Sequence, residues 1–233
     1  MRGTGQPVLV FQSGLGDGLS VWQTVSARTE TIATTLAFSR PGYGRSPAVD
    51  GERSACVVAK EPRVLLQSLG LKPPYVLVGH SLGGLYQYAF SKLFPQEVAG
   101  LVLLDPTHPD LLASLRREVP ASASLLALAR FAFPAHMRRE FDDQTICLNE
   151  LAHLPMPAVP VRLLVRGTFT GLEAGAFEAV ARRLELDWLQ LLGTPALQRV
   201  QGAGHYIQKD RPDAVVDAVA AVVAVVGATR PAR

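Results

Sequence analysis

The chain has 233 residues, of which 48% are apolar and 18% charged, and a formal net charge of +3 at pH 7. That length supports one sizeable hydrophobic core, and the composition excludes disordered and fibrous classes. The basic excess forms no long stripe and goes no further than doublets such as Arg116-Arg117 and Arg138-Arg139, so no nucleic-acid partner is implied.

Short runs rich in Val, Ile and Leu recur along the chain and read as strands: Pro7–Phe11, Thr34–Phe38, Tyr75–Val78, Val98–Leu104, Val161–Val165 and Leu197–Val200. Most lack polar alternation, as strands covered on both faces do. Helical spacing separates them at Leu19–Thr29, Ser54–Leu69, Leu82–Phe94, Gly171–Leu192 and Pro212–Val226. This alternation predicts a parallel α/β sheet with right-handed crossovers. Pro62 predicts a kink or two short helices within the second helical run. Between Pro106 and Pro160 the alternation stops, and scattered apolar residues predict a helical insertion.

"AVVDAVAAVVAVVG" at Ala214–Gly227 is shorter than the ~20 residues a membrane span needs and contains Asp217, so it reads as a buried helix. The opening "MRGTGQPVLVFQSG" lacks the basic start and apolar core of an export signal. Cys56 and Cys147 are far apart and without metal-ligand spacing, which predicts two reduced thiols and a cytoplasmic protein.

Gly79-His80-Ser81-Leu82-Gly83 lies between a predicted strand and a predicted helix. A G-x-S-x-G sequence in that setting lifts its serine hydroxyl above the sheet edge on a strained turn. Gly79 and Gly83 suit it because side chains there would collide where the chain folds back. A serine hydroxyl is a poor nucleophile until a base takes its proton. His205 is the natural base, since it follows the last predicted strand in a Gly-rich turn; His80 is expected to pack under the elbow, and His108, His136 and His153 lie in or beside the insertion.

Together with "FQSGLGDGLSVW" at Phe11–Trp22, "RPGYGRS" at Arg40–Ser46, "LVLLDPTHPD" at Leu101–Asp110 and "GAGHYIQKDRP" at Gly202–Pro212, this elbow resembles the α/β-hydrolase superfamily. The resemblance covers nearly all of the chain except the insertion. It implies a triad in the chain order Ser, acid, His, with Ser81 as nucleophile. In many family members the acid follows the next-to-last strand, but here that location holds "RGTFTG" with no carboxylate before Glu173; the family's alternative location, the end of the preceding strand, implies Asp105 as the acid. Glu173, Asp187 and Asp210 are the alternatives. The backbone N–H groups of Leu82 and Leu15 are implied as the oxyanion hole, although Ser13-Gly14 stands where the family commonly has His-Gly. Ser39 replaces a usual Asp, which bears on local stability more than on chemistry.

The expected architecture is α/β: a mostly parallel sheet of about six strands flanked by helices, with a core at 1–106 and 158–233 and a helical cap at 107–157. Two strands that the family usually carries before the oxyanion loop have no counterpart here. Thr34–Phe38 then becomes a sheet edge, and its threonines are compatible with partial exposure. The implied activity is that of a serine hydrolase cleaving a carboxylic ester through an acyl-enzyme on Ser81, with neither metal nor cofactor. Its partner is a small molecule with an apolar acyl part, which Leu128, Phe131, Phe133 and Met137 would line unless they form the cap's own core. Acyl transfer, thioester or C–C cleavage by the same triad, or a non-catalytic binder on this scaffold, are the alternatives. Carboxylate-nucleophile chemistry is disfavoured because the elbow presents serine.

Overall fold

A computed structural model describes residues 1–228; the last five residues of the expected core segment lie outside the described residues. Six parallel strands, β1 (Val8–Gln12), β2 (Thr34–Ala37), β3 (Tyr75–His80), β4 (Val98–Leu104), β5 (Val161–Arg166) and β6 (Gln198–Val200), form one sheet in the order β2-β1-β3-β4-β5-β6. Alternate strand residues feed two apolar layers, as the pleat requires. On one face Val10, Leu77, Leu103 and Leu163 pack with α2 (Ala55–Ser68), α3 (Leu82–Leu93) and α8 (Ala176–Leu192). On the other, Leu9, Val78, Val102 and Leu164 meet α1 (Gln23–Thr29) and α10 (Pro212–Ala228). α10 is therefore a core helix, and among the described residues no helix is long and apolar enough to cross a membrane.

Pro62 does not divide α2, which runs as one helix from Ala55 to Ser68. Val58, Pro62 and Leu66 recur every fourth residue on its buried face, and their burial offsets the hydrogen bond that proline removes. The predicted helix at Leu19–Thr29 begins as a 3-10 turn, Leu19–Trp22, and the one at Gly171–Leu192 is split by Gly175, at φ +76°, into a short turn and α8.

β2 is a sheet edge, as expected, and its threonines are nevertheless buried. Thr35 exchanges two backbone hydrogen bonds with Arg2, and Thr34 Oγ1 donates to the Gly5 carbonyl, so the first residues cover that side. Ser39 keeps a role in the turn that follows β2: its Oγ accepts from the Leu19 N–H at 3.1 Å.

Between β4 and β5 the chain forms α4 (Leu111–Glu118), α5 (Pro120–Ala129), α6 (Ala135–Asp143) and α7 (Leu148–His153). The two cysteines are not reduced thiols. Cys56, in the first turn of α2, is disulfide-bonded to Cys147, which directly precedes α7. Such bridges persist in oxidising surroundings, so the ground on which a cytoplasmic location was expected is removed.

Candidate active site

β3, β4 and β5 end at one edge of the sheet, and the side chains of interest sit just past those ends. Among the described residues only two non-glycine residues have positive φ: Ser81 at +53° and Asp105 at +43°. Such backbone is costly for residues with a Cβ and persists only where the surroundings hold it. Here they do: the Ser81 N–H donates to Leu104 O at 3.0 Å, and the Asp105 N–H to Leu164 O at 2.7 Å. The elbow also presses the start of α3 against the end of β1. A Cβ on Gly83 would stand 2.3 Å from Gln12 O and 2.4 Å from Ser13 O, so any side chain there would push the helix off the sheet. Ser81 occupies the N-cap position of α3 without a side-chain capping bond, which leaves its hydroxyl near the positive end of the helix dipole.

His205, between β6 and the short helix α9 (Ile207–Asp210), bridges the other two residues. Its Nε2 lies 3.0 Å from Ser81 Oγ and its Nδ1 2.6 Å from Asp105 Oδ2. Burial pushes the Asp105 carboxyl up, but the hydrogen bond and charge of His205, with Arg166 beside them, more than offset this and hold it below the usual carboxylate range. His80 is buried under the turn; its Nε2–H donates to the His205 carbonyl at 2.9 Å, and its ring lies 4.6 Å from that of His205. Burial, with the charges of His205 and Arg166, pushes His80 down to about 3, so it stays neutral and keeps that loop in place.

Arg166, the last residue of β5, has no role in the sequence reading. Its Nε donates to Asp105 Oδ2 at 2.6 Å, its Nη1 to Glu173 Oε2 at 2.6 Å, and its Nη2 lies 2.8 Å from His205 Nδ1. Nδ1 can give a proton to Asp105 or accept one from Arg166, but not both. The shorter contact is to the carboxylate, which keeps the proton on Nδ1 and leaves the Nε2 lone pair facing the Ser81 hydroxyl. Glu173 pairs with Arg166, Asp187 with Arg183, and Asp210 accepts from Gly204 N–H; these carboxylates have contacts away from His205. An arginine closing the run "VRLLVR" reads in sequence as an ordinary solvated strand end, and only its shared edge with Ser81 and Asp105 could have pointed to it.

Ser81, Asp105 and His205 open into a cavity of about 370 Å³, whose lining also includes Leu15 and Leu82. Its walls are mainly apolar: Leu111, Leu125, Leu126 and Phe141 from the inserted helices, and Phe177, Leu184 and Trp188 from α8. None of Leu128, Phe131, Phe133 and Met137 lines it. Leu128 and Phe131 are 67% and 63% exposed, Phe133 packs edge-on against Phe141, and Met137 lies over Gly16. Among the described residues no group of His, Cys, Asp and Glu could hold a metal ion.

The model of the "Alpha/beta hydrolase family" matches residues 8–218. The chain belongs to this family. Among curated relatives, this hydrolase is 25% identical to the uncharacterized protein YqjL of Bacillus subtilis over 92% of its own length and 82% of YqjL's. Among solved structures it resembles a thermophilic esterase from Thermogutta terrifontis, with 19% identity, TM-score 0.67, and coverage of 97% of this chain and 92% of that one. It resembles the epoxide hydrolase CorEH similarly, with 18% identity, TM-score 0.71, and 97% and 93% coverage. At such identities the two structures establish the fold of the hydrolase and leave its chemistry to its own residues.

Proposed function

We propose that this hydrolase cleaves carboxylic esters of small molecules with an apolar acyl part, through an acyl-enzyme on Ser81. The observation that carries this reading is the unbroken contact from Ser81 Oγ to His205 Nε2 at 3.0 Å and from His205 Nδ1 to Asp105 Oδ2 at 2.6 Å. Ser81 Oγ attacks the acyl carbon while its proton passes to Nε2, and Asp105 stabilises the imidazolium that forms. The tetrahedral intermediate collapses with loss of the alcohol, which takes the proton from Nε2. Water then enters, gives a proton to Nε2 and attacks the acyl carbon. Collapse of the second intermediate frees the acid, and the proton returns to Ser81. In both intermediates the oxyanion is met by the backbone N–H groups of Leu82 and Leu15. No step draws on a metal or cofactor.

The inserted segment at 107–157 acts as a cap, and its Leu125, Leu126 and Phe141, with Trp188 of the core, cover the acyl part. The serine at the elbow favours this route over one that begins from a carboxylate nucleophile. The test is a panel of esters and thioesters of graded acyl length, run on the parent and on Ser81→Ala, beside labelling by a fluorophosphonate. Turnover and labelling are expected in the parent, with turnover lost by about 10³-fold or more in the variant. A folded parent that neither turns over esters nor labels favours a binding protein. Residual turnover in Ser81→Ala within about tenfold of the parent removes Ser81 as nucleophile.

A further inference from the structure

The loop that carries Leu15 is held from outside the triad by a buried cluster of charges, and one member comes from the inserted segment. Arg40, 1% exposed, donates through Nη1 to the Ser13 carbonyl and through Nη2 to the Gly14 carbonyl at 2.9 Å. The same guanidinium grips Glu140 of α6 by two bonds, Nε to Oε1 at 3.1 Å and Nη2 to Oε2 at 2.9 Å. Glu140 is fully buried and also accepts from Arg53 Nη2 at 3.0 Å and from the Tyr43 hydroxyl at 2.9 Å. A guanidinium held by a two-bond fork has a fixed plane, so its remaining N–H groups point in fixed directions.

The Gly14 carbonyl belongs to the same peptide unit as the Leu15 N–H. In a planar trans peptide the C=O and N–H point in opposite directions, so fixing one aims the other. That peptide runs against the nucleophile, since a Cβ on Gly14 would stand 3.0 Å from Ser81 Cβ. We infer that Arg40, oriented by Glu140, is a positioning residue that aims the Leu15 N–H at the oxyanion, so that the inserted segment helps to assemble the catalytic site as well as to cover it.

This inference rests on the ester-cleavage reading, and two conservative variants test it. Arg40→Lys keeps the buried cation but has no fork with which to hold Glu140 and two carbonyls together. Glu140→Gln removes the anion that orients the fork. Assays use a temperature at which circular dichroism shows each variant folded. They measure kcat, KM and the inhibition constant of a trifluoromethyl ketone, which places an oxyanion next to Ser81.

Losing an oxyanion donor outright costs about 10² to 10³ in kcat, so a mis-aimed donor is expected to cost roughly 10- to 100-fold. The ketone should weaken by the same factor, with KM within about threefold of the parent, because only the charged species reads the loop. The double variant should lose no more than the worse single, since Glu140 acts through Arg40. Folded variants with unchanged kcat and unchanged ketone affinity would reduce the cluster to a structural tie and overturn the inference, as would losses that simply add in the double variant. If Glu140→Gln does not fold, Arg40→Lys decides alone, because it preserves the buried charge balance. Ser81→Ala run in parallel separates the two claims: turnover that survives in it defeats the ester-cleavage reading, whereas turnover lost in it but untouched in Arg40→Lys defeats only this one.

Discussion

Removing the Cys56–Cys147 bridge should destabilise the fold by a measurable amount. The bridge closes a loop with a sequence separation of 91 residues and ties the first turn of α2 to the start of α7. For a loop of that length the chain-entropy relation gives about 4.6 kcal/mol at 25 °C, all of it from constraint on the unfolded chain. A chain of 233 residues unfolds with an entropy on the order of 0.5 kcal/mol/K, so the midpoint should fall by roughly 9 °C. The assay is thermal unfolding followed by circular dichroism on the oxidised parent, the parent in excess phosphine, and Cys56→Ser/Cys147→Ser, with free thiols counted beforehand. The reduced parent separates loss of constraint from changed packing, because its sulfur atoms remain. Midpoints within about 2 °C, in a parent shown to lack free thiols, would refute the loop-constraint reasoning.

Asp105→Asn should remain folded yet lose on the order of 10³ to 10⁴ in turnover, because an amide neither stabilises the imidazolium nor holds its tautomer; near-normal turnover, with a large loss in Glu173→Gln instead, would move the acid to Glu173. Acid should destabilise the fold below about pH 6.5, because burial pushes His80 down to about 3 and His108 to about 4 while the unfolded chain binds protons at the ordinary value of 6.5. At pH 5 each should cost about 2 kcal/mol relative to pH 8, and urea titrations of His108→Gln should show that share of the pH dependence gone; an unchanged slope would refute it. Leu126→Trp should shorten the longest acyl chain accepted, whereas Leu128→Ala should leave the ranking of substrates unchanged, since Leu126 lines the cavity and Leu128 is 67% exposed. A shift in ranking from Leu128→Ala would place the acyl site elsewhere.

The sheet was legible because its strands are continuous apolar runs, and buried parallel strands leave few other ways to arrange "VLVF", "YVLV" and "LVLL". The elbow was legible because a glycine two residues either side of a serine, between strand and helix, has a steric purpose that Gly83 meets against Gln12 and Ser13. The family resemblance offered two strand ends for a carboxylate and only "LVLLDP" supplies one directly, so the contact of Asp105 with His205 was within reach of the sequence. What could not be read depends on contacts between distant segments. Two cysteines 91 residues apart carry no local sign that they meet. In α5 every position of "PASASLLALA" is small or apolar apart from its serines, so periodicity does not tell Leu125 and Leu126, which face the cavity, from Leu128, which faces solvent. Glu140 sits among charged neighbours in "MRREFDD" and reads as part of a solvated face, yet it is fully buried because Arg40, Arg53 and Tyr43 converge on it.

The outer side of β2 has its own consequence for how copies of this protein behave together. A strand with free N–H and C=O groups invites a strand from another molecule, and proteins protect such edges by covering or shortening them. Here the backbone of Arg2 occupies the outward groups of Thr35, and Thr34 bonds to the carbonyl of Gly5. A variant trimmed to begin at Pro7 would keep every residue of the candidate site but present an open template, along which the sheets of neighbouring molecules could join. Trimming these residues is therefore expected to shorten the storage life of a concentrated stock before it lowers turnover.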